Sequence, residues 1–421
     1  MTSTLQKNVL SLFKRDFLWK TVNSAHVRDY NTSRLFHQVA TEFPYGKRNL
    51  FLSEYFKLTC ADVQKLNYAS HSTFTSKDES REMMAIWPDI VRSLTDVDRN
   101  HDMLDVSKRM AKALQYTVPT GKKNRALALV LAYKTLTPEN QLTEENIRLA
   151  RILGWCIEML QSFFTIVDDI QDHSLTRRNQ PCWYLHNNNG LAAINDAILI
   201  KMYIYKLLGI HFKTKECYAN LQNLFLDSTL KTVTGQSLDM MAMDGGFERK
   251  FNLDLYTMDR YNAIVKYKTA YYTCVLPVTA AMYFAGIKDP EMYRQAKTIL
   301  LEMGHMFQVQ DDYLDCFGDT SRTGKESTDI SQGKCTWLVV VALQRVTPKQ
   351  RKILDECYGQ VEQEKVNRVV QLYNELGLPN TYTIYEEETY NLLNTHIQQI
   401  SRGLPHKLFL KLLSMTYRRD S

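Results

Sequence analysis

The sequence predicts an all-α protein built as a single large helical bundle, and three observations carry that reading. Ten Pro and sixteen Gly are few for 421 residues, whereas Leu, Met, Gln, Glu and Lys are plentiful. That balance favours helices over a sandwich punctuated by Gly and Pro turns. From about Glu82 onward, apolar residues recur at helical spacing almost without a break. Several of these segments, 157–167 most clearly, are apolar nearly all round, which places them at the centre of a bundle wrapped by other helices. With 44% hydrophobic and 23% charged residues, the chain can bury a large core and is neither disordered nor low in complexity. No βαβ alternation or solenoid period is visible. No uncharged apolar run reaches about 18 residues, so no transmembrane helix is expected.

Taken in order, the chain divides near residue 80. Residues 1–80 form an N-terminal extension. Within it, residues 1–41 carry Lys7, Lys14, Arg15, Lys20, Arg28 and Arg34 against Asp16 and Asp29, a net +4 of the chain's +6. Wound as a helix, Leu5, Val9, Leu12 and Phe13 share one face, and acidic residues are rare. This is the composition of a mitochondrial transit peptide, followed by a polar linker at 70–78. A cytoplasmic extension without structure, or a surface helix of the fold, is the alternative. Residues 81–421 form the all-α domain, with helices expected over 106–114, 144–169, 192–208, 218–235, 257–275, 290–312, 336–344, 349–376, 385–401 and 405–417. The charge remaining outside the first 41 residues gives no basis for a nucleic-acid footprint. Eight Cys without a CxxC pair or zinc-like spacing read as reduced thiols, suited to the cytosol or the mitochondrial matrix.

The most informative segment ends the apolar run at 161–167 in three carboxylates: Asp168, Asp169 and Asp172. Asp168 and Asp172 are one helical turn apart on one face, and Asp169 sits about 100° round. The pattern recurs as Asp311, Asp312 and Asp315. One such cluster alone is a solvated acidic helix end. Two, each closing an apolar helix, make a site for a hard cation, and carboxylate oxygens suit Mg²⁺, which keeps water and phosphate oxygens in its shell. The chemistry implied is Mg²⁺ bridging the protein to a diphosphate and neutralising it as it leaves. Cations for phosphate stand nearby: Lys122, Arg125, Arg177, Arg178, Lys268, Lys325 and Lys334. Each by itself is a surface cation; their joint occurrence beside both clusters carries the weight. The segment 318–326 is not a P-loop, because it has one residue too many between its glycines and follows a helix.

At these motifs the chain resembles the short-chain trans-isoprenyl diphosphate synthases, most closely their eukaryotic farnesyl diphosphate synthase branch. The matching segments are GKKNR (121–125), GWCIEMLQ (154–161), DDIQDHSLTRR (168–178), CWY (182–184), IVKYKTA (264–270), LLEMG (300–304), FQVQDDYLD (307–315), TGK (323–325), TDI (328–330) and KCTW (334–337). One departure is Thr120, where relatives often carry a second glycine before the first Lys.

The resemblance implies a bundle around a central cavity, of the isoprenoid synthase type, and a homodimer; charge and apolar runs already gave no expectation of nucleic acid or a transmembrane segment. It implies condensation of isopentenyl diphosphate with dimethylallyl and geranyl diphosphates to the C15 farnesyl diphosphate. A C10 geranyl diphosphate synthase and a terpene synthase on the same scaffold are the alternatives. Carried over, Asp168, Asp172 and Asp311 bind several Mg²⁺ ions (Mn²⁺ can stand in), with Asp169, Asp312 and Asp315 in support. Arg177, Lys268 and Lys325 grip the allylic diphosphate, with Lys334 close by. Gly121, Lys122, Arg125, Gln161 and Arg178 hold isopentenyl diphosphate. Thr269 and Gln308, with Lys268, face the forming carbocation. Phe163 and Phe164 limit chain length, the alternative being that both rings only pack the core. Arg418 and Arg419 close over the site, the alternative being cations that simply meet a helix C-terminus. A terpene synthase needs no isopentenyl site, so Lys122, Arg125 and Arg178 favour condensation.

Overall fold

Helix starts in this chain are set by short polar side chains and prolines. Thr143, Thr257, Asp289, Thr336 and Thr347 each accept a hydrogen bond from a backbone N–H in the first turn of the helix that follows. Thr347 and Gln350 form a reciprocal capping box. Pro290 and Pro348 open their helices, where a missing N–H leaves no bond unmade.

The computed structural model describes residues 77–96, 103–243, 252–319, 327–401 and 403–417. The expected transit peptide and almost all of the linker, as well as Lys325, Arg418 and Arg419, lie outside the described residues. Among the described residues the helices are α1 (77–95), α2 (Leu104–Thr117), α3 (Asn124–Leu136), α4 (Glu144–Gln171), α5 (Ala192–Phe212), α6 (Tyr218–Met243) and α7 (Met258–Ile264). A π-helical stretch, Val265–Val275, continues α7 into α8 (Leu276–Phe284). Then come α9 (Pro290–Phe317), α10 (Asp329–Gln332), α11 (Trp337–Leu343), α12 (Pro348–Cys357), α13 (Gln363–Glu375), α14 (Leu378–Gln398) and α15 (His406–Thr416). The strands are β1 (Thr176–Arg177) and β2 (Gln180–Pro181), an antiparallel pair joined by Arg178 and Asn179. Both turn residues have positive φ, 55° and 60°, as a two-residue hairpin turn requires. The all-α expectation is met.

The differences from the expected helices have local causes. Helix α3 carries no polar stripe to reveal its period: Ala126, Leu127, Leu129, Val130, Ala132 and Tyr133 are all buried, and Lys123 before it supplies no side-chain cap. The single helix expected over 349–376 is two, parted between Cys357 and Gln363, where Gly359 has φ 75°. Gly377, at φ 67°, separates α13 from α14. Helix α4 is long and apolar enough, by length and composition, to cross a membrane, yet 67% of its most apolar stretch is buried inside the fold. Arg151 and Glu158 interrupt that stretch, so a search for an uncharged run passes over it.

Two hydrophobic clusters make the core. The larger joins α2, α3, α4, α5, α8 and α15, with Trp155 wholly buried and its indole N–H donating to the Met83 carbonyl at 3.0 Å. The second gathers α7, α11, α13 and the start of α14. Helix α9 serves both, through Ala296, Ile299, Leu300, Met303 and Met306 on one side and Val309 on the other. The π stretch passes between α6 and α9 at close range. A Cβ at Gly235 would collide with the backbone of Lys268, and one at Gly304 with Ala270. Those two glycines let backbones meet where side chains would hold them apart.

Candidate active site

Helices α4 and α9 are each 28 residues, about 42 Å, long and end in the two aspartate clusters. Between those ends lies a cavity of about 450 Å³, walled by α4, β1, α6, α7, the π stretch, α9 and the segment around Lys334. Asp168, Asp172, Asp311 and Asp312 line it; Asp169 and Asp315 do not.

The first cluster is tied to cations. Lys268 Nζ lies 2.5 Å from Asp239 and 3.4 Å from Asp168, Lys334 Nζ lies 2.6 Å from Asp172, and Arg177 Nη2 lies 2.5 Å from Asp169 and 3.6 Å from Asp168. Burial works to raise the Asp168 pKa, but Lys268, Lys334 and Arg177 outweigh it and hold this carboxyl well below the usual range. For Lys268 and Lys334 burial works downward, and the surrounding carboxylates overcome it, so both pKa values rise and both amines stay charged.

The second cluster is held differently. Asp312 accepts hydrogen bonds from the Tyr261 hydroxyl, the Gln308 amide and the Trp337 backbone N–H, each at 2.8 Å. Burial dominates there and pushes its pKa up to about 7. Asp315 accepts from the Ser327 hydroxyl and the backbone N–H groups of Thr328 and Asp329, which fixes the entry to α10. Thr269 donates to Gln308 Oε1 at 2.7 Å, so a chain of bonds runs from Tyr261 through Asp312 and Gln308 to Thr269 in the wall.

Arg125, Gln161 and Arg178 also line the cavity, while Gly121 and Lys122 stand outside its lining. Arg125 donates to the Thr273 hydroxyl (2.9 Å) and the Tyr272 hydroxyl (3.1 Å), and Arg178 to the Thr117 carbonyl (3.1 Å) and the Thr120 hydroxyl (3.0 Å). A Cβ at Gly121 would stand 2.7 Å from Arg178 Cζ, so this glycine makes room for the guanidinium. Phe163 and Phe164 line the cavity too, their ring centroids 5.1 Å apart, with Tyr272 5.2 Å from Phe164. Sequence reasoning missed Asp239, the buried partner of Lys268, and Gln236, whose amide reaches Asp168 at 3.3 Å. The signal was the spacing of Gly235, Gln236 and Asp239, on a helix already expected as far as residue 235.

Among the described residues no three His, Cys, Asp or Glu side chains converge tightly enough to hold a metal by themselves. The donor set still fits Mg²⁺: carboxylates on two sides of one cavity would supply hard oxygens, leaving further positions for water and substrate phosphate.

An all-α bundle with aspartate-ended helices on two walls of one cavity, and cations and aromatic rings in the same lining, defines a prenyltransferase. The chain matches the polyprenyl synthetase family over residues 107–376 and belongs to that family. It is 54% identical to the farnesyl pyrophosphate synthase of Murgantia histrionica, across 82% of this chain and 83% of the relative. It is 46% identical to that of Homo sapiens, across 81% of each. Among solved structures, the Trypanosoma brucei farnesyl diphosphate synthase complexed with risedronate superposes with a TM-score of 0.76 at 30% identity, covering 81% of this chain and 99% of that one.

Proposed function

We propose that this protein is a farnesyl diphosphate synthase, joining isopentenyl diphosphate to dimethylallyl and then geranyl diphosphate and stopping at C15. The observation that carries the reading is that one cavity is lined by two groups of cations suited to phosphate, one of them among carboxylates. Asp168, Asp172 and Asp311 with Arg177, Lys268 and Lys334 form one; Arg125 and Arg178 form the other.

Asp168, Asp172 and Asp311 would hold Mg²⁺, or Mn²⁺ in its place, and the bound ions supply positive charge to the leaving diphosphate. Lys268, Arg177 and Lys334 orient that diphosphate while the allylic C–O bond breaks and its electron pair departs. The oxygens of Thr269 and Gln308 face the resulting carbocation. Arg125, Gln161 and Arg178 hold isopentenyl diphosphate so that its double bond attacks, and the released diphosphate takes the proton then lost. The apolar part of the lining, with Phe163, Phe164, Val167 and Phe307, keeps water from the cation.

Purified protein given isopentenyl and dimethylallyl diphosphates should release mainly C15 diphosphate, and EDTA should stop it. A cyclised product, a prenyl alcohol or a C10 end point overturns the reading. Phe164 lies one turn, about 5.4 Å, behind Asp168 on nearly the same face, so Phe164→Ala with Phe163→Ala should lengthen the product to C20 or beyond.

Exposed apolar residues run along α5 (Ile194, Ile198, Met202) and α6 (Leu226, Leu230, Val233). That paired stripe supports a homodimer, tested by sedimentation of the full chain. Residues 1–80 are proposed as a mitochondrial transit peptide and linker. A fluorescent fusion of residues 1–41 that stays in the cytosol would remove the assignment.

A further inference from the structure

Helix α3 begins without a cap of its own. Its N-cap Lys123 is left-handed, at φ 57°, and offers no side-chain acceptor, so the first-turn N–H groups need partners from elsewhere. One comes from α4: the Ala126 N–H donates to Glu158 Oε1 at 3.1 Å. Glu158 is 3% exposed and lies behind the cavity wall rather than in it. An isolated carboxylate there is costly: burial raises the Glu158 pKa, and Arg125, the Ala126 N–H, Arg178 and Lys123 work against that rise.

Each of the three cations gives hydrogen bonds to neutral acceptors instead. Lys123 Nζ binds the Gly121 carbonyl at 2.9 Å and the Pro119 carbonyl at 3.3 Å, while Arg125 and Arg178 bind hydroxyls and a carbonyl. Arg125 is the residue next to the capped Ala126, and Arg178 lies against Gly121 of the same entry loop. The two guanidiniums repel each other, a contribution that lowers the Arg178 pKa along with the larger one from burial. Among the charges acting on Arg178, the Glu158 carboxylate gives the largest contribution, and it opposes the repulsion from Arg177 and Arg125.

We propose that Glu158 is a positioning residue for the isopentenyl end of the site: it caps α3 and holds Arg125 and Arg178 in place without touching substrate. The inference rests on reading Arg125 and Arg178 as the isopentenyl diphosphate cations. A residue behind the wall of one substrate only should act on that substrate only.

The test is steady-state kinetics with each substrate varied in turn. Glu158→Gln keeps the shape and the acceptor for Ala126 but removes the charge. It should raise KM for isopentenyl diphosphate about tenfold, leaving KM for geranyl diphosphate within about twofold and kcat within about threefold. In the Arg125→Gln background the same substitution should add little, as expected when one residue acts through the other. Equal changes in both KM values, an unchanged or lowered KM for isopentenyl diphosphate, or full additivity with Arg125→Gln overturns the role of Glu158. If Arg125→Gln alone raises KM only for the allylic substrate, the failure lies in the assignment of the two subsites. Should Glu158→Gln not fold, the proposal also falls, because the charge would then be structural; Glu158→Asp, which keeps the charge, separates that outcome by restoring the fold.

Discussion

Asp168, Asp169 and Asp172 repeat the spacing of Asp311, Asp312 and Asp315, yet the two triplets sit in different chemistry. The first is met by Arg177, Lys268 and Lys334 at 2.5–3.6 Å. In the second, Asp312 and Asp315 are met by a phenol, an amide, a hydroxyl and backbone N–H groups. Cations hold the Asp168 pKa well down, although burial still raises those of Asp169 and Asp172 beside their own cations; at Asp312 neutral donors leave burial uncompensated, and burial pushes the value to about 7. One motif thus builds a cation-paired wall on α4 and, on α9, a wall in which Asp311 and Asp312 line the cavity while Asp312 and Asp315 brace Gln308, α10 and α11.

The largest test of that contrast is Asp168→Ala against Asp169→Ala. Losing the cavity-facing carboxylate should lower kcat on the order of 10²- to 10³-fold, while losing the carboxylate bound to Arg177 should cost tenfold or less. Equal losses in steady-state assays would erase the distinction within the first cluster. Next comes Asp315→Ala, which strips the acceptor for two backbone N–H groups. About 1–3 kcal/mol of stability in urea titration, with kcat within tenfold, is the expected result. A catalytic collapse at unchanged stability would instead make the second wall a copy of the first.

The smallest effect concerns pH. The Asp312 pKa is raised from 3.8 to about 7 in the fold, so its contribution to stability is complete below its ordinary pKa and is lost as pH climbs through about 7. In metal-free protein, the thermal-melting advantage of wild type over Asp312→Asn should therefore shrink between about pH 4 and pH 7. A constant or growing difference would show that the carboxylate is already charged across that range.

In the first cluster the spacing made the cavity-facing positions legible, because Asp168 and Asp172 share a helix face by geometry alone; in the second it did not, since Asp312 rather than Asp315 joins Asp311 at the cavity. The partners were not legible. Tyr261 lies 51 positions from Asp312, and Gln236 lies 68 from Asp168; only packing of α6 and α7 against the two aspartate helices brings them together. Lys122 looked as good as Arg125 in the sequence, yet a turn at the left-handed Lys123 separates the two and only Arg125 reaches the cavity. Helix periods were legible where one face is polar, and α3, buried nearly all round, hid for want of such a face.

Gly235 and Gly304 give the two sides of the cavity different evolutionary latitude. Between them the π stretch bearing Lys268 and Thr269 is set by backbone against backbone, and even one added methyl group on either flank has nowhere to go. That wall can barely drift. The opposite wall carries Phe163 and Phe164 as side chains alone, whose bulk can change by single substitutions without moving a helix axis. On the proposed reading of Phe163 and Phe164 as the residues that limit chain length, diversification of product size would be channelled to α4, with the wall bearing Lys268 and Thr269 a fixed reference for new pocket depths.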